Sequence, residues 1–168
     1  MKLYGNASAD DDSVYHIHSE NGCGEVRIYN VFDGIQAAFN EIRLTSYSTE
    51  MVSNLVTIEI NYCMEGRYEC SIGSNSFCYI TSGDFSISAP NYITKSSYFP
   101  SGKYRGISIF IETEKLSQEV KNAFACLGCD ICKIEKLSKK TADILFYALT
   151  ALSKICSACF TKYRSKSV

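Results

Sequence analysis

From residue 25 onward the chain is built of short runs in which apolar and polar residues alternate, each closed by glycine, asparagine, aspartate or serine. Side chains on a strand point alternately to its two faces. In "VTIEINYC", Ile58, Ile60 and Tyr62 therefore share one face, and Glu59, Asn61 and Cys63 the other. "RYECSI" sets Arg67, Glu69 and Ser71 against Tyr68, Cys70 and Ile72, and Gly66 between the two runs predicts a hairpin turn. "SFCYI", "GDFSIS" and "KYRGISIFIE" continue the pattern. Turn signals at Asp33-Gly34, Glu65-Gly66, Gly73 to Ser76, Ser82 to Asp84 and Ser101-Gly102 bound these strands. Many short strands with regular turn signals predict an antiparallel sandwich or barrel.

After Glu112 the period changes. "TEKLSQEVKNAFACLG" places Thr113 as N-cap, Leu116, Val120, Ala123, Phe124 and Leu127 on an apolar face, and Gly128 as the stop. A short segment, "DICKIEKLS", follows. From about Lys139 to Tyr163, apolar residues recur at spacings of three and four, forming a seam that includes Leu145, Leu149, Leu152 and Cys156. Such a face must be covered, and pairing with a second copy of the chain would cover it. Residues 1–24, polar and without a period, read as a loose arm. The chain thus divides into an arm (1–24), a β-barrel (25–112) and C-terminal helices that dimerise (113–168).

The 168 residues suit one domain with a sizeable core, and the apolar share of 46% argues against disorder. A formal net charge of −1 removes the reading of a protein basic throughout, as many stand-alone nucleic-acid binders are. The balance is uneven, however. Residues 1–132 hold 9 Lys and Arg against 16 Asp and Glu, whereas residues 133–168 hold 8 against 2. No signal peptide pattern and no membrane-length apolar run occurs, so a cytoplasmic protein with no membrane partner is expected.

Candidate chemistry is sparse. His16, His18 and Glu20 in "HIHSE" suggest a metal-ligand set, but they precede the barrel and no further histidine completes the site. Cys126, Cys129 and Cys132 in "CLGCDIC" have cluster-like spacing, yet each fits a packing position for a small hydrophobe. No base is placed to activate a cysteine, and no Gly-rich phosphate loop is present. The sequence therefore predicts no catalysis, no metal and no cofactor.

"IEINYCMEGRYECSIGSNSFCYITSGDFSIS" followed by "YFPSGKYRGISIFIE" resembles the N-terminal half of AraC-type bacterial transcription regulators, over about residues 25 to 138. "VFDGIQAAFNEI" is similar to the strands that open that half. The resemblance implies a mainly β fold: a cupin-like (jelly-roll) antiparallel β-barrel with two or three C-terminal α-helices, which binds a small-molecule effector and forms a homodimer. DNA would be contacted only through a helix-turn-helix module that this chain does not contain. The expected ligand-binding residues are Asn61, Arg67 and Glu69, with Tyr62 and Tyr104; Leu145, Leu149, Leu152 and Cys156 are expected at the dimer interface. Two alternatives are a small metal-binding cupin protein or enzyme, and a purely structural dimerisation module.

Overall fold

The computed structural model describes residues 2–5, 13–48, 57–72, 76–88, 96–126, 128 and 131. Ten strands run in chain order: β1 (Lys2–Gly5), β2 (Ser13–Ser19), β3 (Gly22–Phe32), β4 (Ile35–Leu44), β5 (Ser46–Ser48), β6 (Thr57–Ile72), β7 (Ser76–Thr81), β8 (Phe85–Ser88), β9 (Ser96–Tyr98) and β10 (Tyr104–Glu112). They pair antiparallel in the order β1-β2-β3-β4-β10-β6-β9-β5, with β7 and β8 also on β6. The result is the nearly closed, mainly β antiparallel barrel that the alternation predicts. A single helix, α1 (Gln118–Cys126), follows among the described residues.

Two walls face each other across the barrel, and β6 belongs to both. Its first half pairs with β10 and β8, its second half with β7 and β9. Between the halves the register slips: Gly106 is opposite Cys63 while Arg105 is opposite Glu65, so Met64 is one extra residue on β6. A bulge of this kind bends a strand and resets its phase. Gly66 passes through the bend at φ 89°, and a Cβ there would lie 2.2 Å from the Lys103 carbonyl oxygen. The expected hairpin at Gly66 is therefore corrected to a bulge within one continuous strand.

Two apolar clusters hold the walls. Ile17, Ile42, Leu44, Cys63, Ile80, Phe99 and Tyr104 meet between them, inside the barrel. On the opposite face of the β4-β10-β6 wall, Ile35, Ile58, Ile60, Ile87, Ile107, Ile109 and Ile111 are covered by Leu116, Val120 and Phe124, the last two one helical turn apart on α1. That wall is consequently buried on both faces. Ile58 is 1% exposed and Leu44 1% exposed, although they lie on different faces.

Two further expectations change. Residues 13–24 do not form a loose arm: β2 pairs with β3 along its length, and Ile17, opposite Gly24, is 2% exposed. Helix α1 starts later than expected. Ser117 caps it, its Oγ accepting from the Val120 N–H at 3.3 Å. Thr113 is buried in the preceding turn, with its hydroxyl unpartnered among the described residues. Gly128 does close the helix, at φ 76°, its N–H donating to the Ala125 carbonyl at 2.9 Å. The expected later helices, and with them Leu145, Leu149, Leu152 and Cys156, lie outside the described residues.

Candidate ligand site inside the barrel

The bulge decides which residues of β6 see the interior. Before Met64 the inward residues are Glu59, Asn61 and Cys63; after it they are Tyr68 and Cys70. Asn61 and Tyr104 of the expected ligand set come together inside, where the Tyr104 hydroxyl donates to Asn61 Oδ1 at 2.7 Å. Asn61 is 9% exposed and Tyr104 3%. Tyr62 has the opposite parity and lies on the outer face of the wall. Arg67 and Glu69 are also outside, corrected from the face they were expected to share with Asn61. The extra residue reverses the phase between them. Arg67 Nε donates to Glu69 Oε1 at 2.5 Å, and its guanidinium lies 4.2 Å above the centre of the exposed Tyr79 ring. Phe77, on the same strand as Tyr79, is 70% exposed and Tyr79 itself 54%.

The polar residue that sequence reasoning passed over is Glu59. It sits opposite Ser88 on β8 and Phe110 on β10, with Asn61 two residues along on the same face, opposite Ser86 and Ser108. Burial is the main force on its carboxyl and pushes the pKa above the usual carboxylate range; hydrogen bonds from the Ser108 and Ser88 hydroxyls oppose the shift. Yet Glu59 keeps an intermediate share of its surface accessible, as do Asn40, Ser88 and Phe110 on the same inner face. These four residues form the partly accessible stretch of the inner face. Asn40 Nδ2 donates to Ser108 Oγ at 3.2 Å, tying β4 into the same polar belt.

Beyond this belt stands an aromatic group from both walls. Phe99 packs 6.0 Å from Tyr47, 5.7 Å from Tyr68 and 5.4 Å from Tyr104. Tyr68 and Tyr104 are 5.8 Å apart. Desolvation raises the pKa of all three tyrosines, and the Glu59 charge adds to the rise in each. Tyr47 and Tyr68 both engage the Ser97 hydroxyl, which partly offsets that rise. Gly106 makes the Tyr104 geometry possible: a Cβ there would lie 2.2 Å from the Tyr104 hydroxyl oxygen.

The remaining candidates are placed as follows. His16 and His18 project from β2 with their rings 6.5 Å apart, and His16 Nδ1 is 3.6 Å from Glu25. Among the described residues no three His, Cys, Asp or Glu side chains converge into a metal site. Cys126, read as a packing residue, is exposed. Cys129 and Cys132 lie outside the described residues. Cys63 is 0% exposed, and burial, reinforced by the Asp84 charge, pushes its thiol up to about 11. A thiol held in that form is a poor nucleophile at neutral pH. Cys70 and Cys78 oppose each other across β6 and β7, with a side-chain hydrogen bond between their thiols.

No family model matches the sequence, and no curated protein matches it. Among solved structures, the chain is similar to the EutQ protein of Clostridium difficile, at 16% identity over 54% of this chain and 71% of that one, with a TM-score of 0.40. It is similar to ectoine synthase from P. lautus, at 16% identity over 58% and 68% of the two chains, TM-score 0.42. An RmlC-like cupin from Shewanella frigidimarina gives 12% identity, 68% and 97% coverage and a TM-score of 0.43. Identities and scores of this size carry no residue-by-residue correspondence.

Proposed function

We propose that the barrel binds a small molecule in its interior and acts as a non-catalytic, cytoplasmic sensor, the effector-binding half of an AraC-type regulator. The observation that carries the binding reading is the Tyr104 to Asn61 hydrogen bond at 2.7 Å beside the half-buried Glu59, in a short polar belt adjoining a larger wall of aromatic and aliphatic side chains. A few convergent polar groups in an apolar setting are what fix a small ligand in a pocket. The regulatory context comes from the sequence resemblance over about residues 25 to 138.

Ligand in the interior would act through the β4-β10-β6 wall, which meets ligand on one face and α1 on the other. A ligand that fits one placement of the helix better than another shifts the population toward it. Pairing of two chains through the 139–163 segment would pass that shift to an attached DNA-binding module.

Thermal denaturation across a broad metabolite panel tests the sensor reading, because a ligand that binds only the folded state raises Tm. At least one reproducible increase is expected. A complete absence of hits would favour a purely structural module, and a stoichiometric metal in purified protein would favour a metal-binding cupin. Sedimentation of Leu149→Lys tests pairing: monomer is expected, and an unchanged dimer would refute the seam.

A further inference from the structure

Charge is distributed unevenly between the barrel's inside and outside. Arg27, Arg43, Arg67, Lys103 and Arg105 all point outward, with side chains 41–75% exposed and each within reach of an outer-surface glutamate. By strand parity the inner faces of β4, β6, β8 and β10 carry two carboxylates, Glu59 and, at the very end of β10, Glu112. Glu112 pairs with Lys115, whereas no ion pair among the described residues includes Glu59. Its polar neighbours, Ser88, Ser108 and Asn61, add oxygen acceptors, and the Asn61 oxygen already receives the Tyr104 proton. Removing a carboxylate from water without a counter-ion is unfavourable. An anion placed beside it would make matters worse, since no described Lys, Arg or His faces inward to receive one.

The surroundings suit the opposite charge. Glu59 faces Phe110 across the ladder, and its field reaches Tyr47, Tyr68 and Tyr104. Aromatic rings beside a carboxylate attract a cation both through the ring quadrupole and through direct charge pairing. We infer that the barrel interior selects an organic cation, an ammonium carried on a small apolar or aromatic body, with Glu59 as its counter-charge and the tyrosine and phenylalanine rings around its body. This inference rests on the ligand-binding reading above and narrows it to one charge class.

The test uses three probes of matched shape, phenethylammonium, phenethyl alcohol and phenylacetate, titrated calorimetrically into the whole chain. The ammonium should bind best and phenylacetate worst. Glu59→Gln, close to isosteric, should weaken the ammonium about tenfold or more while leaving the alcohol within about twofold, since a hydrogen bond to a charged group contributes about 1.5–3 kcal/mol. In the native protein, ammonium affinity should rise with pH as Glu59 ionises, and alcohol affinity should stay level. Among the described residues the other titratable groups whose strand positions face the interior are Tyr15, Tyr47, Tyr68, Tyr104, Cys63, Cys70, Cys78 and, paired with Lys115, Glu112. Burial raises the pKa of Tyr47, Tyr68, Tyr104 and Cys63, so those four remain neutral across that range.

Equal or tighter binding of phenylacetate, or ammonium binding indifferent to both Glu59→Gln and pH, would overturn the inference. So would failure of all three probes alongside a neutral or anionic hit in the metabolite panel; that combination leaves the sensor reading standing. Failure of every compound in both experiments removes both.

Discussion

Replacing Tyr104 by phenylalanine removes one oxygen from the middle of the barrel and little else. The ring keeps its neighbours Phe99 and Tyr68, at 5.4 and 5.8 Å, so the aromatic packing is retained. What is lost is the 2.7 Å bond to Asn61, a residue 9% exposed, whose side-chain oxygen is then left without that donor. An orphaned buried acceptor costs about 1–3 kcal/mol. With a urea m value of about 2 kcal/mol/M, the midpoint should fall by about 0.5–1.5 M at unchanged slope. A double-mutant cycle with Asn61→Ala isolates the pair, and a coupling of about 0.5–1.5 kcal/mol is expected from a single buried hydrogen bond. A midpoint within error of the parent together with zero coupling would refute the reasoning, because it would mean that water satisfies Asn61 equally well.

Two other outcomes follow from burial. The folded pKa of Glu59 lies above the usual carboxylate value of 4.5, so the stabilisation associated with its protonated form is fully present below that value and is lost as pH rises through the folded pKa. The Tm of Glu59→Gln minus that of the parent should therefore grow with increasing pH and level off above that pKa; a constant or falling difference would contradict the burial argument. Among the described cysteines, N-ethylmaleimide under native conditions should modify the exposed Cys23 and Cys126 first and leave Cys63, Cys70 and Cys78 protected until denaturant is added, as read by peptide mass spectrometry. Native-state labelling of Cys63 at the rate of Cys23 would show that its enclosure, and its thiol held at about 11, are wrong.

Much of the strand placement was legible in the sequence because turns and alternation are local signals. The Asp33-Gly34 turn joins β3 to β4 with Gly34 at φ 77°, and the alternation of β10 is the one observed. The site was harder to read for two physical reasons. Ile58 and Ile60 form the obvious apolar stripe of β6, but they face α1, so the more polar stripe of the same strand is the one turned into the barrel. A wall buried on both faces gives no reliable inside from apolarity alone. The second reason is Met64. Nothing in a methionine announces an extra residue, although a glycine two positions later is a hint of a bend. The serines were a usable clue: Ser86, Ser88 and Ser108 alternate with isoleucines in "FSIS" and "GISIF", marking a buried polar belt that pairs with Glu59 and Asn61. In β2, histidines and serines masked a strand whose inward positions are Ser13, Tyr15 and Ile17.

Because β6 runs unbroken from one wall into the other, it works as the spine of a book. Its hydrogen bonds to β10 and β8 on one side of the bend, and to β7 and β9 on the other, bind the two covers at that line. The fore-edge lies at the far ends of the strand order, where no ladder joins β5 to β1 or β2 among the described residues. Thr45 alone separates β4 of one cover from β5 of the other, and its carbonyl accepts from the Phe99 N–H at 2.7 Å, so the covers are stitched a second time away from the spine. Glu59 and Asn61 are carried on the spine itself, so the interior's polar groups are anchored where the two covers are bound.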